Sequence, residues 1–99
     1  MKKGYWVVVY HSISDESAFT EYGKLAVPAI NAAGGKIIIR GAAESVVPHE
    51  SGLKQRVVVT EFPSFDKAVT TYTSADYQAA LKALGSGADR DFRIVEGAD

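Results

Sequence analysis

Apolar side chains fill consecutive positions in three short stretches of this chain instead of alternating with polar ones. Tyr5-Trp6-Val7-Val8-Val9-Tyr10 is an unbroken aromatic and β-branched run, Ile37-Ile38-Ile39 sits between Lys36 and Arg40, and Val57-Val58-Val59 follows Arg56. Such runs predict strands buried on both faces. A fourth strand is expected over Asp91-Phe92-Arg93-Ile94-Val95-Glu96. Elsewhere the apolar spacing changes to three and four residues. Phe19, Tyr22, Ala26, Ile30 and Ala33 fall on one helical stripe, opened by the capping residue of Ser14-Asp15-Glu16 and closed by Gly34-Gly35. Pro28 interrupts that stripe and is expected to kink the helix or split it near Val27.

Residues 41–55 carry Pro48 and Gly52 and read as an irregular connection before the strand that Pro63 ends. Ser64 caps a short helix with Phe65, Ala68, Val69 and Tyr72 inward; Ser74 opens another with Tyr77, Leu81 and Leu84 inward, closed by Gly85 and Gly87. The order is strand, helix, strand, strand, helix in two pieces, strand. It predicts one α+β domain over residues 1–99: a ferredoxin-like βαββαβ protomer with a four-stranded antiparallel sheet and its helices on one face.

Helices on one face leave the other uncovered, yet the strands are apolar on both. An exposed patch of several hundred Å² is rarely tolerated by a soluble monomer. At about 25 cal/mol per Å², burying it is worth on the order of 10 kcal/mol before association costs. A homodimer pairing the open sheet faces is the expected solution.

Composition narrows the partners. Eleven basic and twelve acidic residues are interspersed, and only Lys2-Lys3 forms a basic pair, so no nucleic-acid partner is expected. The first apolar run stops at His11, too short for a secretory signal or a membrane span. The expectation is a cytoplasmic protein with no membrane partner. The absence of cysteine excludes disulfides, thiolate metal sites and a cysteine nucleophile. His11 and His49 have no ligand spacing, the glycines form no phosphate cradle, and no serine nucleophile elbow is present. Neither a metal nor a cofactor is expected.

Strand parity selects the candidate site residues. A charged side chain is not expected to face the helices, which puts Glu61 on the open face with Val57 and Val59, and Arg40 there with Ile38. Such charges would contact a polar ligand group, or form a structural salt bridge at the rim. Parity places His11 with Tyr5, Val7 and Val9, where an imidazole beside Glu61 would serve as a general base; the alternative is a strand-end histidine satisfied by backbone or water. His11 and Glu61 are therefore the catalytic candidates, and Trp6, Arg40, Glu61 and Tyr72 the ligand-binding ones. Tyr22 and Tyr77 lie on helical stripes and read as core.

Gly4-Tyr5-Trp6, Gly34-Gly35 leading to Ile39-Arg40-Gly41, Glu61-Phe62-Pro63-Ser64, Tyr72-Thr73-Ser74 with Tyr77-Gln78, and Val95-Glu96-Gly97 occur in that order. Together they resemble the domain of unknown function 1330 family, within the dimeric α+β barrel group. Pro28 and the alanine after Ser74 depart from the family pattern. The resemblance implies a ferredoxin-like protomer and a face-to-face dimer, and no established activity. Relatives in the wider barrel group include cofactor-free monooxygenases, lactone isomerases, dehydratases and haem-binding enzymes, but a shared fold does not transfer chemistry.

The functional expectation is a small apolar or aromatic metabolite bound in a cavity between sheet and helices. A cofactor-independent monooxygenase- or isomerase-like enzyme, and a non-catalytic interaction dimer, are the alternatives. Gel filtration or scattering at micromolar concentration should report at least a dimer; a stable monomer would remove the argument from the two apolar faces.

Overall fold

The computed structural model describes residues 1–98; Asp99 lies outside the described residues. Strand β1 spans Gly4–Ile13, helix α1 Glu16–Ala32, β2 Lys36–Gly41, β3 Arg56–Phe62, α2 Phe65–Tyr72, α3 Ala75–Leu84 and β4 Ala88–Glu96. The sheet order is β2-β3-β1-β4 with every neighbouring pair antiparallel, and the helices cover one face. This is the ferredoxin-like α+β arrangement. The connection from β2 to β3 is irregular apart from one 3-10 turn at Ala43–Ser45. No helix among the described residues is long and apolar enough to cross a membrane.

Burial alternates along β1. Trp6, Val8 and Tyr10 are buried on the helix face, while Tyr5, Val7 and Val9 are half-buried on the open one. The Trp6 ring is the centre of the core, 4.8 Å from Phe62, 4.7 Å from Tyr77 and 5.2 Å from Phe92 between ring centroids. Its indole Nε1 donates to the Ala68 carbonyl at 2.8 Å, which ties α2 to β1. Gly4 permits the same approach: a Cβ there would sit 2.6 Å from the Phe65 Cα and 2.7 Å from the Ser64 oxygen.

Helix α1 is held differently. It packs chiefly on α3, where Tyr22 and Tyr77 meet with ring centroids 6.0 Å apart, and Ala26, Ala29 and Ala80 of the two helices are buried. At its start the Ser14 and Asp15 amides both donate to the Gly87 carbonyl, at 2.8 and 3.1 Å. Asp15, not Ser14, is the capping residue, accepting from the Ala18 amide. Gly34 ends the helix with φ at +78°, a conformation glycine adopts without strain.

Three further expectations need correction. Pro28 does not split α1, which is continuous through Ala32. Pro28 and Lys24 both lie on the exposed side, so water can meet the Lys24 carbonyl that proline leaves unpaired. Val69 is exposed, not inward, because Ala68 and Thr71 take the buried side of the short α2. Strand β4 begins three residues before Asp91, at Ala88, paired through a bulge with the end of β1.

Two glycines should respond oppositely to the same change. Gly4→Ala forces backbone atoms apart and should cost about 1–3 kcal/mol. Gly23, within α1, has nothing within 4 Å of an added Cβ, so Gly23→Ala should stabilise by up to roughly 1 kcal/mol through helix propensity. Urea denaturation midpoints check both signs; a destabilised Gly23→Ala would mean that α1 lies closer to the sheet than described.

Candidate functional site

Because α1 rests on α3, the helix side of β2 and β3 is left partly uncovered, and a cavity of about 470 Å³ opens between α1 and the sheet. Its floor is laid down in rows by the strand register. Trp6 pairs with Thr60, and Thr60 with Ile37; Val8 pairs with Val58, and Val58 with Arg40; Tyr10 pairs with Arg56 on one side and Arg90 on the other. From the first row to the last is four residues, about 13 Å. The roof is α1, with Phe19 and Tyr22 above the Tyr10 end, Gly23 midway and Ile30 at the Trp6 end.

Polarity changes along this axis. The Trp6 end is apolar except for Thr60, a buried residue whose hydroxyl has no hydrogen-bond partner among the described residues. The Tyr10 end is cationic. Arg56 lies over the Phe19 ring with Cζ 5.4 Å from its centroid. The Arg90 guanidinium stands 5.0 Å from the Tyr22 centroid, 5.6 Å from Tyr10 and 5.2 Å from Phe92. Its Nη1 donates to the Tyr22 hydroxyl at 3.2 Å, and that hydroxyl shares a 2.7 Å hydrogen bond with Tyr77. None of Arg40, Arg56 and Arg90 forms an ion pair among the described residues, and no carboxylate lines the cavity. Lys24 at the rim has its own partner in Glu21, 3.2 Å away.

Arg40 reaches this cavity through a bulge. Ile37 pairs with Thr60 but Ile39 pairs with Val59, so Ile38 is inserted and the parity of β2 reverses. Ile39 therefore joins the open face, and Arg40 lies on the helix side, not beside Ile38 on the open face. The premise that charge avoids the helix face fails for Arg40, Arg56 and Arg90 alike, because the cavity gives their guanidiniums room and access to water.

Glu61 does lie on the open face. It accepts from Lys3 Nζ at 3.2 Å and from the Tyr5 hydroxyl at 3.0 Å. Those two donors, Lys3 first, hold its carboxyl below the usual range, which suits a structural anion better than a base. His11 is not beside it. Glu61 pairs with Tyr5 at one end of β1, whereas His11 lies at the other end, its Nδ1 3.3 Å from Gln55 Oε1. The residues between them span about 20 Å. Asp91 also faces away from the cavity, bound by Arg93 through two 3.0 Å hydrogen bonds. Of the four ligand-binding candidates, Trp6 and Arg40 line the cavity and Glu61 and Tyr72 do not. Tyr72 packs on the α2 side of the core, 5.1 Å from Phe92 and 5.4 Å from Tyr77.

The sequence reading missed Arg56, Arg90 and Thr60. Parity counted back from Phe92 would have put Arg90 on the helix face, had the strand been extended through Ala88 and the charged Asp89-Arg90. No group of three or more His, Asp or Glu that could hold a metal occurs among the described residues.

The sequence pattern described as "Domain of unknown function (DUF1330)" matches residues 3–98. No curated protein matches the chain at a significant level. Among solved structures, a protein of unknown function from Rhodopseudomonas palustris superposes with a TM-score of 0.76 at 16% identity, covering 99% of this chain and 84% of that one. A candidate antibiotic biosynthesis monooxygenase from Nitrosomonas europaea gives 0.59 at 17% identity over 96% of this chain and 99% of that one. An ethyl tert-butyl ether D family protein from Bacillus halodurans gives 0.59 at 16% identity over 99% and 100%. At these identities the likeness is one of fold.

Burial, and then the adjacent Tyr22, push the Tyr77 hydroxyl well above its usual value of 10. The fold favours the neutral phenol, so this contribution to stability is fully present below about pH 10 and is lost as the pH rises beyond it. Ultraviolet titration should find Tyr77 ionising only as the protein unfolds in alkali. Reversible ionisation of every tyrosine near pH 10 in the folded protein would contradict the network.

Proposed function

The chain belongs to the DUF1330 family, and we propose that it binds a small apolar or aromatic molecule in the cavity between α1 and the sheet. The observation that carries this reading is the cavity itself, about 470 Å³ and lined by Trp6, Val8, Ile37 and Phe92 with a few polar groups. Small-molecule sites run roughly 300–1,000 Å³ with that composition. A folded core seldom leaves so much apolar surface unfilled, since each lining group forgoes packing partners.

Binding is favoured over turnover by the chemistry of the lining. No carboxylate, imidazole or thiol stands among the described residues of the cavity wall. Proton abstraction would fall to a phenol or to the Lys24 amine at the rim, but Lys24 is paired with Glu21, and burial raises the Tyr10 hydroxyl further from the range of a useful base. The monooxygenase description of the Nitrosomonas protein keeps a cofactor-independent oxygenation as the second reading, because such a step would need an enclosed apolar pocket of this kind.

The proposal extends to assembly. Ile38, Ile39 and Val95 are 43%, 46% and 44% exposed in the single chain. Val7, Val9, Val57 and Val59 form an apolar centre on the open face, bordered by the Asp91–Arg93 pair, that a second copy would cover. Glu61 with Lys3 and Tyr5 would then lie toward the rim of that interface.

The neutral dye N-phenyl-1-naphthylamine tests the site. Its fluorescence should rise saturably with wild-type protein. Gly23→Phe from the roof and Val58→Phe from the floor should each weaken it by about tenfold or more without loss of folded structure. A wild-type protein that fails to bind the dye, or folded variants that bind it as wild type does, would overturn the reading.

A further inference from the structure

We propose that the ligand of this cavity is an organic anion, a small carboxylate whose apolar body lies toward Trp6, Ile37 and Ile30 and whose carboxylate lies between Arg40 and Arg56. The inference deepens the binding reading above and rests on it. Its warrant is the segregation of charge across the sheet. Arg40, Arg56 and Arg90 project to the helix side, whereas Glu61 of β3 and Asp91 of β4 point to the open face and are bound there by Lys3 and Arg93. Arg56 and Arg90 thus flank Tyr10 at one end of an apolar cavity, Arg40 stands one row nearer its middle on β2, and no acid is among the described lining residues. Like charges collected in a partly dehydrated site repel each other, and an anion placed among them relieves that repulsion.

Two of the guanidiniums are also oriented. Arg56 is seated over Phe19 and Arg90 among three rings, so little side-chain freedom is lost when they are engaged. A planar fork held in place is suited to a planar carboxylate. Arg90, the deeper of the two and already donating to Tyr22, supplies field from behind, while Arg40 and Arg56 remain free to donate. The cavity length of about 13 Å suits one or two fused rings or a medium aliphatic chain ending in the acid, with the unpartnered Thr60 hydroxyl available to a polar substituent on the body.

Displacement of N-phenyl-1-naphthylamine by 2-naphthoate and by 2-naphthalenemethanol compares two ligands of one ring system that differ in charge. The carboxylate should displace the dye at a concentration about tenfold lower, and added salt should narrow that advantage. Arg40→Gln and Arg56→Gln should each weaken 2-naphthoate about fivefold or more and leave the alcohol within about twofold. Lys82→Gln, which removes a charge on the exposed side of α3, should change neither. Equal displacement by acid and alcohol in a protein whose dye binding is blocked by Gly23→Phe would overturn the anion and leave the cavity reading standing. An Arg40→Gln or Arg56→Gln effect matched by Lys82→Gln would also overturn it, as an effect of net charge alone. Failure of the wild-type protein to bind the dye would overturn both readings.

Discussion

The seam between α1 and α3 is the constraint from which the rest of this molecule follows. Tyr22 of α1 and Tyr77 of α3 meet across it, and the Gly87 carbonyl, receiving two amides from the start of α1, fixes where that helix begins. A helix held by its neighbour need not settle on the strands below it. On the β4 side, the rings around Trp6 fill the space beneath the helices and Gly4 brings α2 hard against β1. On the β2 and β3 side nothing comparable fills the gap, and Gly23 contributes no side chain toward it. One half of the layer is a packed core. The other is a cavity.

That division gives the two faces of the sheet different chemistry. The acids Glu61 and Asp91 are satisfied on the open face by neighbours close at hand, Lys3 and Tyr5 for the first and Arg93 for the second. On the other face Arg56 and Arg90 have aromatic rings for neighbours in place of carboxylates. Rings hold a guanidinium by its face and leave its edge free to donate. The site is therefore ready for a ligand group that accepts hydrogen bonds and carries negative charge, without any side chain having to break an existing ion pair.

Much of the fold was legible in the sequence because its signals were strong and local. Continuous runs such as Tyr5 to Tyr10 gave the strands, the Phe19–Ile30 stripe gave α1, and serine caps gave α2 and α3. The site was less legible, for one geometric reason and one energetic reason. The bulge at Ile38 reverses the faces of Ile39 and Arg40, and a bulge in three consecutive isoleucines leaves no trace in the pattern. The rule that charge shuns a covered face assumes that the covering is complete. It holds for Glu61 and fails for Arg40, Arg56 and Arg90, which lie beneath the helix that stands away from the sheet. Parity alone also set His11 and Glu61 on one face without registering that a whole strand length separates them.

Ligand binding in this molecule requires the separation of α1 from β2 and β3, and the cationic end of the space between them. A crystal structure grown with 2-naphthoate measures both at once. The predicted result is a ring system between Gly23 and Val58 with its carboxylate oxygens within hydrogen-bonding distance of Arg40 and Arg56. A closed structure, with α1 packed directly on Val58 and the naphthoate absent or lying on the open face of the sheet, would contradict it.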